Sequence, residues 1–130
     1  MNKISVFVAE GENHVRQAIQ LSLEHLDGIQ VSGNASSAES LLAQLGQGPP
    51  DVLLLDWLLP GLNPQRLLAV IRKYYPETRV IAAVLRSKDG KLALDYGVDG
   101  YIRKGSTPED FTASLLREFE TLGSTEVKEG

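Results

Sequence analysis

Short apolar runs alternate with segments of helical periodicity along the whole 130-residue chain, and this alternation constrains the fold more than any other feature. The apolar runs predict five strands, at residues 4–8, 28–34, 52–55 and 78–85 and at a very short segment around Ile102. The segments between them predict five helices, at residues 12–26, 36–45, 64–71, 89–96 and 106–122. Strands that are joined by helical crossovers pair in parallel. We therefore expect an α/β fold, a doubly wound parallel sheet with helices on both faces.

The composition limits the classes of function that the chain can have. A formal net charge of -4 argues against a DNA-binding surface within this chain, and without cysteine there is neither a disulfide framework nor a thiolate set for zinc. The apolar stretch at the N terminus is far too short for a membrane span or a signal-peptide core. We therefore expect a soluble, cytoplasmic domain at residues 1–122, with a flexible tail or linker at residues 123–130.

Candidate reactive residues follow three of the predicted strands. Sites in parallel sheets lie at the carboxyl ends of the strands, where Glu10 follows the first strand, Asp56 the third and Lys104 the fifth. A carboxylate at this edge can attack phosphorus, an ammonium group can bind phosphoryl oxygens, and the two acids could hold a hard cation such as Mg²⁺. The alternative for Asp56 is a structural role, in which its carboxylate accepts hydrogen bonds from loop amides.

Two motifs carry a resemblance to a known family. The run DVLLLDWLLPG, residues 51–61, leads an apolar strand into Asp56 and a Pro-Gly turn, and DGYIRK, residues 99–104, ends in Lys104. With Glu10, these motifs resemble the receiver domain of two-component response regulators, particularly receivers that are joined to a helix-turn-helix output domain. The resemblance extends from residue 3 to about residue 122. It implies a flavodoxin-like sheet with strand order 2-1-3-4-5.

The resemblance also implies roles for individual residues. Asp56 matches the aspartate that accepts a phosphoryl group from a histidine kinase or a phosphotransfer protein, and Lys104 matches the lysine that contacts this group. Tyr101 matches an aromatic residue whose rotamer reports the switch, and ordinary half-buried packing is the equal alternative. Glu10, Asp56 and the backbone carbonyl of Leu58 match ligands of Mg²⁺.

The chain departs from the receiver pattern at the metal site. Receivers usually carry two adjacent acids after the first strand, whereas here Glu10 is followed by Gly11. Glu12 is a poor substitute because Mg²⁺ requires near-octahedral geometry. We therefore expect Mg²⁺ binding to be weak or absent.

A second departure lies at the end of the fourth strand. Val84 stands where receivers carry a threonine or serine that donates to the phosphoryl group, so the hydroxyl is missing. Arg86 and Ser87 are the nearest polar replacements, and both follow the strand. The segment from residue 84 to residue 97 also looks about two residues shorter than usual, so we expect a short or remodelled fourth helix.

Two classes of function stay open. The first is a receiver that switches an output or dimerisation surface when Asp56 is phosphorylated. Such a domain catalyses no reaction beyond its own phosphorylation and dephosphorylation. Its expected partners are a kinase and a second copy of itself, with no membrane partner. It reaches DNA only through an output domain outside this chain. The alternative is a pseudo-receiver, a protein-interaction module that works without phosphotransfer.

Two further enzyme or cofactor classes fit the sequence less well. An aspartyl-phosphate phosphatase of another α/β family needs a second acid two residues after its nucleophile, where this chain has Leu58. A dinucleotide-binding domain needs Gly-x-Gly-x-x-Gly after the first strand, and the acids found there would repel a pyrophosphate.

Overall fold

The computed structural model describes residues 3–105 and 107–129, in which one five-stranded sheet is flanked by helices. The strands are β1 (Ile4–Ala9), β2 (Ile29–Ala35), β3 (Val52–Asp56), β4 (Arg79–Val84) and β5 (Gly100–Arg103). The helices are α1 (Asn13–Glu24), α2 (Ala38–Leu45), α3 (Pro64–Tyr74), α4 (Ser87–Tyr96) and α5 (Pro108–Glu129). All four strand pairs are parallel, and the order across the sheet is β2-β1-β3-β4-β5. The predicted doubly wound fold and its strand order are confirmed.

The sheet separates two apolar layers. Residues of α2, α3 and α4 pack on one face, and residues of α1 and α5 pack on the other. β3 supplies both layers, because Leu53 and Leu55 face the first and Val52 and Leu54 face the second. All five residues of β3 are buried, so this central strand carries Asp56 from the middle of the core to the edge of the sheet.

Polar side chains bind free amides in the first turn of three helices. The side chain of Ser37 caps α2, and the side chain of Asn63 caps α3, whose first residue is Pro64. At the start of α5, Thr107 Oγ1 accepts a hydrogen bond from the amide of Asp110 at 3.1 Å. The predicted start of this helix at Ser106 and the side chains of Pro108 and Leu122 lie outside the described residues.

Two helices differ from their predicted bounds. α4 begins at Ser87 instead of Asp89 and has ten residues, two more than predicted, and its shortening relative to other receivers stays a prediction. α5 continues to Glu129, although we expected an irregular chain from residue 123. A single glycine costs a helix about 1 kcal/mol relative to alanine, while each further residue adds a hydrogen bond, so Gly123 does not end the helix. A linker role for residues 123–130 stays a prediction. Within the described ranges, no helix is long and apolar enough to cross a membrane.

Arg72 ties together the end of the sheet that lies opposite the carboxyl edge. Its guanidinium donates to the backbone carbonyls of Thr78 at 3.0 Å and Gly97 at 2.7 Å, and to Asp99 Oδ2 at 2.8 Å. Asp99 Oδ2 also accepts the backbone amide of Val80 at 2.7 Å. These bonds join α3, the end of α4 and the start of β4, and they fix the residue that immediately precedes β5.

Candidate active site

Three charged side chains meet at the carboxyl edge of the sheet. Glu10 follows β1, Asp56 ends β3 and Lys104 follows β5. β1 and β3 are neighbours that pair up to Ala9, so the acids at their ends come together. Lys104 reaches them across the end of β4. The structure therefore brings together the residues that the edge rule singled out.

Lys104 bonds to both acids. Its Nζ atom lies 2.8 Å from Asp56 Oδ1 and 3.1 Å from Glu10 Oε1. The side chains of Lys104, Asp56 and Glu10 are 13%, 5% and 2% exposed, so little water screens these contacts. With all three groups ionised, two carboxylates share one ammonium group and the cluster has a formal charge of -1.

Two backbone amides complete the surroundings of the Asp56 carboxylate. Oδ2 accepts a hydrogen bond from the amide of Gly11 at 3.1 Å, and Oδ1 accepts one from the amide of Leu58 at 3.0 Å. Loop amides therefore bind this side chain as the structural alternative expects, but Lys104 binds it as well. These hydrogen bonds fix the orientation of the Asp56 carboxylate at the buried end of β3.

The loop after β1 positions Glu10. Glu10 Oε2 accepts the amide of Glu12 at 3.1 Å, and its backbone carbonyl accepts Arg16 Nη1 at 2.9 Å. Arg16 Nη2 also donates to Asn13 Oδ1 at 2.6 Å, so the arginine braces the loop against α1. Our sequence analysis missed Arg16. The sequence does contain a signal for it: a basic residue lies in the first turn of the helix, six positions after the candidate acid Glu10.

The cluster perturbs the ionisation of two of its members. The net effect of the surroundings is to raise the pKa of Glu10. Burial and the charge of Asp56 raise this pKa, and they outweigh the hydrogen bond from Glu12 and the contact with Lys104, which lower it. Burial alone would lower the pKa of Lys104, but the hydrogen bonds and charges of Asp56 and Glu10 outweigh burial and raise it. Lys104 therefore stays protonated throughout the neutral range.

Val84 closes the site on the side of β4. Its side chain is 2% exposed, and its carbonyl accepts the backbone amide of Lys104. Beyond it opens a mainly apolar cavity of about 390 Å³, lined by Trp57, Leu58, Ala83, Val84, Leu85, Arg86, Asp89 and Lys104. No hydroxyl side chain lines this cavity among the described residues. Ser87, the predicted substitute, is exposed at the first position of α4.

Tyr101 links β5 to α4. Its side chain is partly buried and packs against the apolar layer on the α4 side of the sheet. The ring lies so close to the buried Gly90 that a Cβ atom at this position would overlap it. The close approach of the Tyr101 ring therefore requires glycine at position 90. Most other residues would stabilise the helix more at this position.

Comparison with known proteins places this arrangement in a family. A model of the response regulator receiver domain matches residues 6–116. The chain belongs to the response regulator receiver family. GacA from Pseudomonas viridiflava is 31% identical over 105 residues, and the transcriptional regulatory protein CitT from Bacillus subtilis is 31% identical over 116 residues. These alignments cover 79% and 88% of the chain but 49% and 51% of the relatives, so this receiver spans about half the length of those regulators.

Solved structures share the fold of this receiver. The signal receiver domain of NarL from Mycobacterium tuberculosis superposes with a TM-score of 0.78 at 26% identity, covering 90% of this chain and 96% of that one. RcsB from Salmonella typhimurium superposes with a TM-score of 0.82 over 95% of this chain and 62% of its own, and at 23% identity it shows the fold alone. The predicted flavodoxin-like receiver fold is confirmed.

Receiver domains typically bind Mg²⁺ at their phosphorylation site, and the residues of this chain fit that ion poorly. Gly11 contributes no side-chain oxygen, and Glu10 Oε1 and Asp56 Oδ1 both face the ammonium group of Lys104. The side chain of Glu12 is exposed at the start of α1. In the part of the chain that the structure describes, no group of three or more acidic, histidine or cysteine side chains is arranged to hold a metal.

Proposed function

We propose that Asp56 accepts a phosphoryl group from the phosphohistidine of a histidine kinase or a phosphotransfer protein. One oxygen of Asp56 forms a bond to phosphorus while the P–N bond breaks, and the electron pair of that bond stays on the histidine nitrogen. The observation that carries the proposal is the 2.8 Å contact between Lys104 and Asp56, whose side chains are 13% and 5% exposed at the carboxyl edge. Family membership favours this function over a pseudo-receiver.

Lys104 then contacts the phosphoryl group. In the resting state it neutralises part of the charge of the two carboxylates, which would otherwise repel an anionic donor. As the P–O bond forms, its ammonium group moves from Asp56 Oδ1 to a phosphoryl oxygen, while Glu10 holds it from the other side at 3.1 Å. The raised pKa of Lys104 keeps it charged for this task.

Mg²⁺ binds weakly in our proposal. Glu10, Asp56 and the carbonyl of Leu58 are the groups that would hold the ion, and when bound it would offset negative charge on the phosphoryl oxygens. These groups would hold the ion weakly, because the donor set lacks the oxygen that an acid in place of Gly11 would supply.

Phosphorylation acts on partners through Tyr101 and α4 in this proposal. Tyr101 lies three residues before Lys104 and packs on Gly90, so a shift of Lys104 reaches α4 through one strand and one ring. The readout is a homodimer or an output domain, and DNA is reached only through the latter. Receivers generally catalyse no more than their own phosphorylation and dephosphorylation, so we propose no separate enzymatic activity. We place the protein in the cytoplasm, as is typical of response regulators.

Intact-protein mass spectrometry tests the proposal. The protein is incubated with acetyl phosphate over a range of Mg²⁺ concentrations, alongside Asp56→Asn and the exposed control Asp95→Asn. We expect the mass of one phosphoryl group on the wild type and on Asp95→Asn but not on Asp56→Asn. A folded wild type that gains no adduct at any Mg²⁺ concentration would instead identify a phosphorylation-independent interaction module.

A further inference from the structure

Arg86 stands at the rim of the same cavity as Lys104. It is the N-cap residue of α4, two positions beyond Val84, and its side chain lines the cavity together with those of Lys104 and Leu58. Its side chain is 67% exposed and forms an ion pair with Asp89, from Nε to Oδ2 at 3.2 Å. An exposed pair of this kind is worth about 0–1 kcal/mol, so the guanidinium can leave it at little cost.

Phosphorylation leaves uncompensated negative charge at the site. With Glu10 and Asp56 ionised, Lys104 already leaves a formal charge of -1, and conversion of Asp56 to an acyl phosphate adds about one more negative charge. Val84 cannot donate a hydrogen bond from its side chain, so the β4 side of the phosphoryl group lacks the donor that a hydroxyl would supply.

We infer that Arg86 swings from Asp89 to the phosphoryl group on Asp56 and serves as the donor that Val84 does not provide, an inference that rests on the proposed function. A guanidinium group offers two parallel N–H donors that match phosphoryl oxygens, and it is always charged. Asp89 then acts as the resting partner of Arg86 and competes with the phosphoryl group for it.

The rate of labelling with acetyl phosphate tests this role. In the reaction, one oxygen of Asp56 bonds to phosphorus as the P–O bond to acetate breaks and acetate leaves with the electron pair. We expect Arg86→Ala to be labelled about 10-fold to 100-fold more slowly than the wild type, which is the effect of losing one hydrogen bond to a charged group. Arg86→Lys keeps the charge and should recover part of the rate. Lys88→Ala removes an exposed charge that does not line the cavity and should leave the rate unchanged.

Two further variants separate phosphoryl contact from a structural role. Asp89→Asn weakens the competing ion pair, so labelling should become faster, the opposite of the effect of Arg86→Ala. Val84→Thr restores the hydroxyl at nearly the same side-chain shape, and it should rescue labelling when added to Arg86→Ala. Urea unfolding, followed by the fluorescence of the buried Trp57, checks that each variant is folded.

Each outcome decides the inference. The role of Arg86 would be overturned if Arg86→Ala and the wild type were labelled at equal rates. It would also be overturned if Arg86→Ala, Lys88→Ala and Asp89→Asn all slowed labelling equally. Either result would leave Asp56 as the acceptor. A wild type that is never labelled would contradict the proposed function and this inference with it. The direct contact between Arg86 and the phosphoryl group would be supported if Arg86→Ala is labelled slowly and if adding Val84→Thr, or using Arg86→Lys instead, recovers the rate.

Discussion

Replacing Gly90 by alanine tests the contact between α4 and Tyr101. Alanine is favoured over glycine in a helix interior by about 1 kcal/mol, so the substitution would stabilise an isolated helix. In this protein the added methyl group would overlap the Tyr101 ring, which lies on the glycine. Overpacking of a filled site costs about 1–3 kcal/mol, so it opposes the gain in helix propensity.

The two effects separate in a double-mutant cycle. In the wild-type background we expect Gly90→Ala to lower the free energy of unfolding by about 1 kcal/mol, the propensity gain minus the larger packing cost. In a Tyr101→Ala background the ring is absent, so the same substitution should raise the free energy of unfolding by about 1 kcal/mol. The sign of the effect therefore reverses, with a coupling energy of about 2 kcal/mol.

Urea unfolding measures all four proteins of the cycle. Trp57 is the single tryptophan of the chain and is 6% exposed, so its fluorescence reports loss of the core next to α4. An effect of 1 kcal/mol moves the urea midpoint by roughly 0.3–1 M. A Gly90→Ala effect of the same sign and size in both backgrounds would refute the close packing of Tyr101 on α4.

Three other substitutions have expected outcomes. Lys104→Gln leaves Asp56 and Glu10 facing each other without a cation, so the free energy of unfolding at pH 7 should fall by about 3 kcal/mol. The loss should be smaller at a pH low enough to protonate Glu10, whose pKa is raised, and urea midpoints at both pH values would test this. Burial raises the pKa of Glu118 above its ordinary value of 4.5, so the folded state binds more protons than the unfolded state just above that pH, and the free energy of unfolding falls there as pH rises. In Glu118→Gln, urea midpoints measured across pH 4–7 should fall less steeply with pH, and the remaining fall is the contribution of Glu10. Asn63→Ala removes the cap of α3 and should cost about 1 kcal/mol in thermal unfolding, and a loss near zero would contradict the capping role.

The sheet was predictable because its signals are local. β3 is a run of buried aliphatic residues, and no helical periodicity competes with that pattern. The start of α4 was harder to place, because Arg86 and Ser87 provide no side-chain cap and the helix begins without the usual polar signal. The end of α5 was misplaced for the opposite reason: Gly123 resembles a helix stop, but residues after it continue the helix.

The candidate site was predictable in outline only. The rule that sites lie at the carboxyl ends of parallel strands selects Glu10, Asp56 and Lys104. It does not show that Lys104 bonds to both acids, because that contact joins residues 94 positions apart. The surroundings of Gly11 also required coordinates: a Cβ atom there would lie 3.0 Å from the Pro60 ring, so a larger residue would need this ring to shift by a few tenths of an ångström.

The hydrogen bonds of Asp99 anchor the start of β5, the end that lies away from the candidate site. Arg72 and the amide of Val80 hold Asp99 just before this four-residue strand, and Lys104 lies just after it, about 16 Å away at the usual rise per residue. β5 also pairs with β4 along its whole length, and the amide of Lys104 donates to the carbonyl of Val84, so a displacement of Lys104 works against this ladder as well as against the anchored start. A displacement that begins at Lys104 should therefore decrease along β5, so we expect Tyr101 to move less than Lys104 and α4 to receive a reduced motion.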